Sequence, residues 1–170
     1  MRNDAALRFL ADGMLGKLTR WLRMLGCDVK YRNDLEDEEL IKTAKEENRV
    51  LLTRDIQLYR RASTNNVQAY LVKCPTETER LAEVTRQFNI ELEIDINNSR
   101  CPKCNAKLET VPKDKIKDKV PQATLRFFND YWICPDCRQI YWQGSHWQKI
   151  NRKLLEAKGL KPKTKTDQVI

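Results

Sequence analysis

The chain has 170 residues, the length of one ordinary domain or of one small domain joined to a metal-held module. Hydrophobic residues make up 41%, enough for a core, so wholesale disorder is excluded; 33% charged residues and a mean hydropathy of -0.70 argue against a membrane-buried element. Thirty-two Lys and Arg stand against 24 Asp and Glu, a net charge of +8. The longest apolar runs, such as residues 69–72, are far too short to span a bilayer, and the N-terminal residues show no apolar signal region. A cytoplasmic protein without membrane contact is expected.

Taken in chain order, the elements alternate. Residues 8–11 form a strand candidate ending at Asp12-Gly13. Met14, Leu15, Leu18, Trp21, Leu22 and Leu25 then recur at helical spacing and stop at Gly26, a helix C-terminus signal. Residues 28–32 read as a second strand. Asp37-Glu38-Glu39 opens a helix carrying Leu40, Ile41 and Ala44 and ending near Asn48. Residues 50–53 are a buried strand, followed at once by Arg54-Asp55 and a short helix through Tyr59 and Ala62. A fourth strand at 67–72 and a helix at 76–88 with acidic residues in its first turn complete the series. Such alternation predicts an α/β fold, a parallel sheet covered by helices on both faces. A linker through Asn97-Asn98-Ser99-Arg100 divides the chain into a first domain, 1–96, a module at 97–147, and a C-terminal helix and basic tail at 148–170.

Charge divides at the same place. Residues 1–95 hold 16 basic and 17 acidic residues, net -1, whereas residues 96–170 hold 16 and 7, net +9. A basic segment of this kind most often meets a polyanion, here nucleic acid. The cysteines follow suit: Cys27 and Cys74 stand alone, while Cys101, Cys104, Cys134 and Cys137 form two Cys-Pro-x-Cys pairs. Two residues between cysteines make a tight knuckle, and two knuckles supply the four sulfurs of a tetrahedral site. Zinc is expected there, in a closed structural site; iron held as in rubredoxin, implying an electron carrier, is the alternative.

The topology gives the aspartates their meaning. In an open parallel sheet, ligands bind outside the carboxyl ends of the strands. Asp12 ends the first strand and Asp55 follows the third. Asp37 opens a crossover helix, which starts where the preceding strand ended, so it lies on the same edge. Three such carboxylates repel one another unless a cation is present, and hard oxygens suit Mg2+ or Mn2+, which can activate water and neutralise a phosphate oxygen. Glu36 and Glu38 are candidates to complete the set, and Asp34 is the rival to Asp37. Helix N-capping, worth about 1 kcal/mol, is the alternative role for each aspartate.

Phe9-Leu10-Ala11-Asp12-Gly13-Met14-Leu15-Gly16-Lys17-Leu18, Arg20-Trp21-Leu22-Arg23-Met24-Leu25-Gly26, Asp37-Glu38-Glu39-Leu40, Val50-Leu51-Leu52-Thr53-Arg54-Asp55 and the two knuckles together resemble the Mut7-C family, over roughly residues 8–150. That family is described as a PIN-like ribonuclease domain fused to a zinc ribbon. The resemblance implies a PIN-like three-layer α/β/α domain followed by a four-cysteine zinc ribbon, and Mg2+- or Mn2+-dependent hydrolysis of RNA phosphodiesters. The acids it assigns are Asp12, Asp37 and Asp55. The further acid that PIN nucleases carry between the first two has no counterpart in the short segment here, and Glu38 is taken as the fourth carboxylate. A PIN domain joined to a zinc ribbon is also similar to ribosomal-RNA maturation nucleases, which by analogy makes precursor rRNA or the ribosome an expected partner. A non-catalytic RNA- or ribosome-binding module, with the aspartates only capping helices, is the competing reading.

Several basic residues are candidate RNA contacts. Lys17, Arg20 and Arg23 recur at i, i+3 and i+6 and are expected on one solvent-facing side, with Lys17 nearest Asp12; Arg54 stands beside Asp55. Lys113, Lys115, Lys117 and Lys119 are expected on an exposed loop or hairpin meeting phosphates. Seven of 13 aromatics fall within 127–147, most as module core and one or two available to stack on unpaired bases. His146, the only histidine, has packing, capping or RNA contact as its candidate roles, beside Ser145 as the expected cap of the last helix. Lys161, Lys163 and Lys165 read as a disordered basic tail.

Overall fold

Alternation of side chains along two short strands sets the architecture. In β1 (Arg8–Ala11), Phe9 and Ala11 enter one core while Leu10 enters another; in β3 (Val50–Thr53), Val50 and Leu52 join the first and Leu51 the second. A strand buried on both faces has no polar side, which is why these segments read as continuous apolar runs. The computed structural model describes residues 7–160. Its first sheet adds β2 (Asp28–Tyr31) and β4 (Ala69–Leu71) in the order β2-β1-β3-β4, all parallel, with Phe9 opposite both Val29 and Val50.

Helices cover both faces. A 3-10 turn (Gly13–Leu15), α1 (Gly16–Met24) and a later helix, α4 (Glu77–Gln87), bury Leu15, Leu18, Trp21, Leu22, Leu81, Ala82 and Val84 on one side. On the other side, α2 (Asp37–Glu46) and α3 (Ile56–Thr64) bury Leu40, Ile41, Ala44, Leu58 and Ala62. Every element expected over residues 8–88 is present, with ends shifted by a residue or two. The remaining chain builds a second, antiparallel sheet in the order β5-β6-β7 from β5 (Glu109–Thr110), β6 (Trp132–Ile133) and β7 (Ile140–Tyr141). A 3-10 turn (Lys113–Lys115) and α5 (Gln122–Phe127) lie between β5 and β6. Among the described residues, no helix is long and apolar enough to cross a membrane. The basic tail expected at Lys161, Lys163 and Lys165 lies outside the described residues.

The linker is no free tether. The last carbonyls of a helix lack intrahelical donors, and residues 99–100 supply them to α1: Ser99 Oγ donates to Met24 O at 2.6 Å and the Arg100 N–H to Arg23 O at 2.9 Å. Gly26, at φ 90°, completes the turn in the left-handed region, where a Cβ would sit 3.1 Å from Asn98 O. The last helix, α6 (Ser145–Gly159), returns to the first domain, inserting Leu154 and Ala157 into the core made by α1 and α4. Lys153 Nζ lies 3.1 Å from Glu77 and over the Trp21 ring.

At the amino edge of the sheet, buried Arg49 donates to Phe9 O, Asp28 and Glu47. Asn105, from the first cysteine knuckle, donates to Asp28 Oδ1 at 2.8 Å and accepts the Val29 N–H at 3.0 Å. Burial alone would raise the Asp28 pKa, but hydrogen bonds from Arg49 and Asn105 outweigh it and hold the carboxyl down at about 2. Because the folded value lies below the unfolded one, this stabilisation is present above about pH 4 and is lost as pH falls towards 2. Asp28→Asn is therefore expected to cost about 1–2 kcal/mol at pH 7 after allowance for solvent screening, and less at pH 3. Urea midpoints at the two pH values check this; an equal loss at both would refute it.

Candidate active site and metal centre

The sheet reverses direction of growth between β1 and β3, whose neighbours lie on opposite sides, so their carboxyl ends flank a switch-point crevice. Asp12 ends β1, with its N–H bonded to Leu52 O at 3.2 Å and its residue almost fully buried. Its Oδ1 accepts the Met14 N–H at 2.9 Å, and its Oδ2 accepts the hydroxyl of fully buried Thr53. The same Thr53 oxygen accepts the Asp55 N–H at 2.9 Å. Asp55 in turn caps α3, its Oδ1 accepting from Gln57 at 2.6 Å and Leu58 at 3.1 Å. Thr53 thus ties the two aspartates into one hydrogen-bonded chain. In the sequence it stands only as the last residue of an apolar run.

Asp37 and Glu38 take part in a different contact. Arg61 of α3 donates to Asp37 Oδ2 and to Glu38 Oε1, each at 3.1 Å. Asp37 is the first residue of α2 rather than its cap; Glu36 holds the cap position, and its N–H is taken by Glu39 at 3.3 Å. Asp34 is held by both arms of Arg32, at 2.9 and 2.8 Å. Among the described residues no three carboxylates lie at metal-ligand spacing. The structure therefore links the Asp12 carboxylate through Thr53 to the backbone of Asp55 and leaves Asp37 and Glu38 paired with Arg61.

The cysteines do converge. Cys101, Cys104, Cys134 and Cys137 place their four sulfurs within 4.8 Å of one another, with Cys101 to Cys137 at 3.6 Å and Cys104 to Cys134 at 3.3 Å. None of the four is in a disulfide. Four sulfurs about 2.3 Å from a tetrahedral ion stand about 3.8 Å apart, so the set fits a metal such as zinc after small shifts, in an arrangement compatible with a zinc ribbon. Both knuckles are built alike: Asn105 and Arg138, each just after a second cysteine, adopt positive φ and donate back to Cys101 O and Cys134 O. Burial opposes ionisation of Cys101, yet the Tyr141 hydroxyl, 3.1 Å away, and knuckle N–H groups hold its thiol at about 7.

The family model for the Mut7-C RNAse domain matches residues 7–154, a span that takes in both the aspartate edge and the four cysteines. The chain belongs to the Mut7-C family. It is also 31% identical over 103 residues to a human (Homo sapiens) protein named exonuclease mut-7 homolog, in an alignment covering 59% of this chain and 12% of that relative. This chain thus corresponds to a small part of that relative's length. No solved structure matches it.

Membership gives the Mut7-C chain the domain described as the Mut7-C RNAse domain. Lys17 is exposed beside a cleft of about 370 Å³ formed by residues 13–18, Tyr31, Glu77 and Arg80. Glu77, a cleft acid that the sequence marks only as part of an acidic first turn, is engaged by Trp21 at 2.7 Å and Lys153 at 3.1 Å. Burial would raise its pKa, but those two partners and Lys17 more than offset it and lower it. Arg20 is exposed, and Arg54 is half-buried with its Nε lacking a partner among the described residues. Arg23 departs from the expected solvent-facing row: it is buried, donating to Val29 O at 2.9 Å, Pro102 O at 3.0 Å and Lys103 O at 3.3 Å.

The Mut7-C module also departs from expectation at its lysines. Residues 113–120 are no simple exposed loop, because Ile116 and Val120 are buried in a core with Tyr131, Ile133 and Ile140. Lys113 is held by Leu125 O and Asn129 Oδ1, both at 2.8 Å, whereas Lys115, Lys117 and Lys119 are exposed. Ser145 is the first residue of α6, not its cap; Gly144 takes that position and no side chain caps the helix. His146 is exposed and lines a second cavity, together with Trp142 and Trp147.

Proposed function

We propose that this Mut7-C chain is a divalent-metal-dependent endoribonuclease with a PIN-like three-layer domain, acting on RNA at the edge where Asp12 and Asp55 meet. The observation carrying this reading is the Asp12–Thr53–Asp55 hydrogen-bonded chain at the switch point between β1 and β3. Asp55 Oδ2 has no partner among the described residues, and each Asp12 oxygen accepts a single hydrogen bond, so both carboxylates retain acceptor capacity. Hard carboxylate oxygens suit Mg2+ or Mn2+, which when bound would activate water and neutralise a phosphate oxygen. Thr53 positions both acids, and exposed Lys17 and Arg20 offer charge to the strand's phosphates. Precursor rRNA is the substrate class favoured by analogy, and a cytoplasmic setting accompanies it.

A specific observation favours a second reading. Asp12 and Asp55 both serve as caps, and Asp37 is paired with Arg61, which suits a chain that binds RNA without cutting it. Asn caps helices as well as Asp does, so Asp12→Asn and Asp55→Asn separate the two roles. In assays of structured and single-stranded RNA with Mn2+ added, each variant is expected to lose on the order of 100-fold or more in cleavage rate, the several kcal/mol of charge stabilisation that a metal site contributes. Unchanged cleavage in both variants would remove this site from the chemistry. RNA binding without cleavage by the wild type would establish the second reading.

A further inference from the structure

We propose that the cavity between the end of α1, the linker and the four-cysteine module receives an unpaired nucleobase of the RNA strand. The inference rests on the RNA-directed reading above but not on cleavage. The cavity holds about 600 Å³, within the range of small-molecule sites, and its walls include Phe128, Tyr141, Trp142 and Trp147. Flat aromatic walls suit the face of a base, and each stack is worth about 1–3 kcal/mol.

The tryptophans differ in what their indole N–H groups meet. A buried indole N–H normally finds an acceptor. Trp21 donates to Glu77 and Trp132 to Asn97, whereas the indole N–H groups of Trp142 and Trp147, which are not buried, have no acceptor among the described residues and are open to an occupant of the cavity. Both of these rings line the cavity. Ser145 and His146 line it too, and neither side chain is hydrogen-bonded within the described residues, since Ser145 is not used as a cap. An apolar occupant would leave these groups unpaired, whereas a base presents carbonyl oxygens, ring nitrogens and amino groups to match them. Gly144 permits the arrangement, because a Cβ there would lie 2.8 Å from Trp142 Nε1.

Charge agrees with a polyanion. No acidic residue lines the cavity, Arg100 does, and residues 97–160 carry 13 Lys and Arg against 6 Asp and Glu. Helix α1 joins the two sites, with Lys17 in the cleft beside Asp12 and Met24 in the cavity wall, about 10 Å apart along the helix. At about 3.4 Å per stacked nucleotide, that span is only a few nucleotides.

The test measures tryptophan fluorescence and affinity with no added divalent ion, using a short oligouridylate, the same strand made abasic, and an RNA duplex. The wild type is expected to bind the base-bearing strand about 5- to 100-fold more tightly than the abasic strand. Trp147→Ala is expected to abolish that difference while leaving duplex affinity unchanged. Trp147→Phe, which keeps the ring but not the N–H, should fall between them, and His146→Ala, at an exposed position, should weaken only the base-bearing strand. Equal affinity of the wild type for base-bearing and abasic strands, or unaltered preference in Trp147→Ala, would overturn the proposal, whether or not Mn2+-dependent cleavage is found. A base-dependent loss in an inactive wild type would support it while cleavage fails.

Discussion

Withdrawing the ion from the four-cysteine site is expected to melt the module at residues 101–143 while the parallel sheet keeps its fold. The strands there are two residues long, and their two apolar clusters are small: Ile116, Val120, Tyr131, Ile133 and Ile140 in one, Leu108 and Trp132 with Cys101 and Cys134 in the other. Cores of this size do not hold a chain unaided, and structural zinc contributes about 10–16 kcal/mol of apparent binding free energy in small modules. The first sheet has its own two cores, to which α6 adds Leu154 and Ala157. Near-ultraviolet circular dichroism from Trp132, Trp142 and Tyr131 should collapse on metal removal, while most of the far-ultraviolet helical signal remains. Cys134→Ser should reproduce the effect without a chelator. A near-ultraviolet spectrum unchanged in fully metal-free protein would show that the module stands on packing alone.

The second large effect is expected at Arg23. Its guanidinium reaches Pro102 O and Lys103 O inside the first knuckle and Val29 O on the sheet edge, and its own carbonyl accepts the Arg100 N–H. Burial works against its charge, and the nearby thiols of Cys101 and Cys104, with Asp28, act in the opposite sense. A divalent ion held by four thiolates carries a net charge of -2, so the guanidinium is the natural counter-charge. Arg23→Met preserves the apolar stem but removes every donor, leaving three carbonyls short of a partner at about 1–3 kcal/mol each where burial is complete. A loss on the order of 3 kcal/mol is expected in urea unfolding, together with faster proteolysis near the linker. Stability within 1 kcal/mol of the wild type would mean that water replaces the guanidinium freely.

Arg23 also shows why part of the molecule is legible in sequence and part is not. The strands and helices of the first domain announce themselves because each buries apolar residues at its own period, and the knuckles because two-residue spacing leaves the sulfurs few options. Arg23 leaves its expected row by angle: six residues along a helix turn the chain by about 240°, so it points well away from Lys17. Nothing in α1 alone says that the direction it does point is covered by a knuckle 79 residues away. Asp37 differs for another reason. Element order fixes which edge of the sheet a residue occupies, but its position along that edge depends on how α2 packs against α3, where Arg61 waits. Ser145 is no cap because Gly144 already has the extended backbone a cap needs, with Trp142 packed where its side chain would be. Thr53 stays hidden because a hydroxyl at the end of a buried strand looks like any other strand residue until its partners are known.

The return of α6 to the face of α4 changes how the two halves cooperate. A module on a flexible tether would search a volume set by tether length, and its help to the other half would be an effective concentration that falls as the tether grows. Here the module leaves the sheet through a linker anchored at Met24 and rejoins it through Leu154 and Ala157. The separation between its basic surface and the aspartate edge is therefore written into packing rather than into chain length.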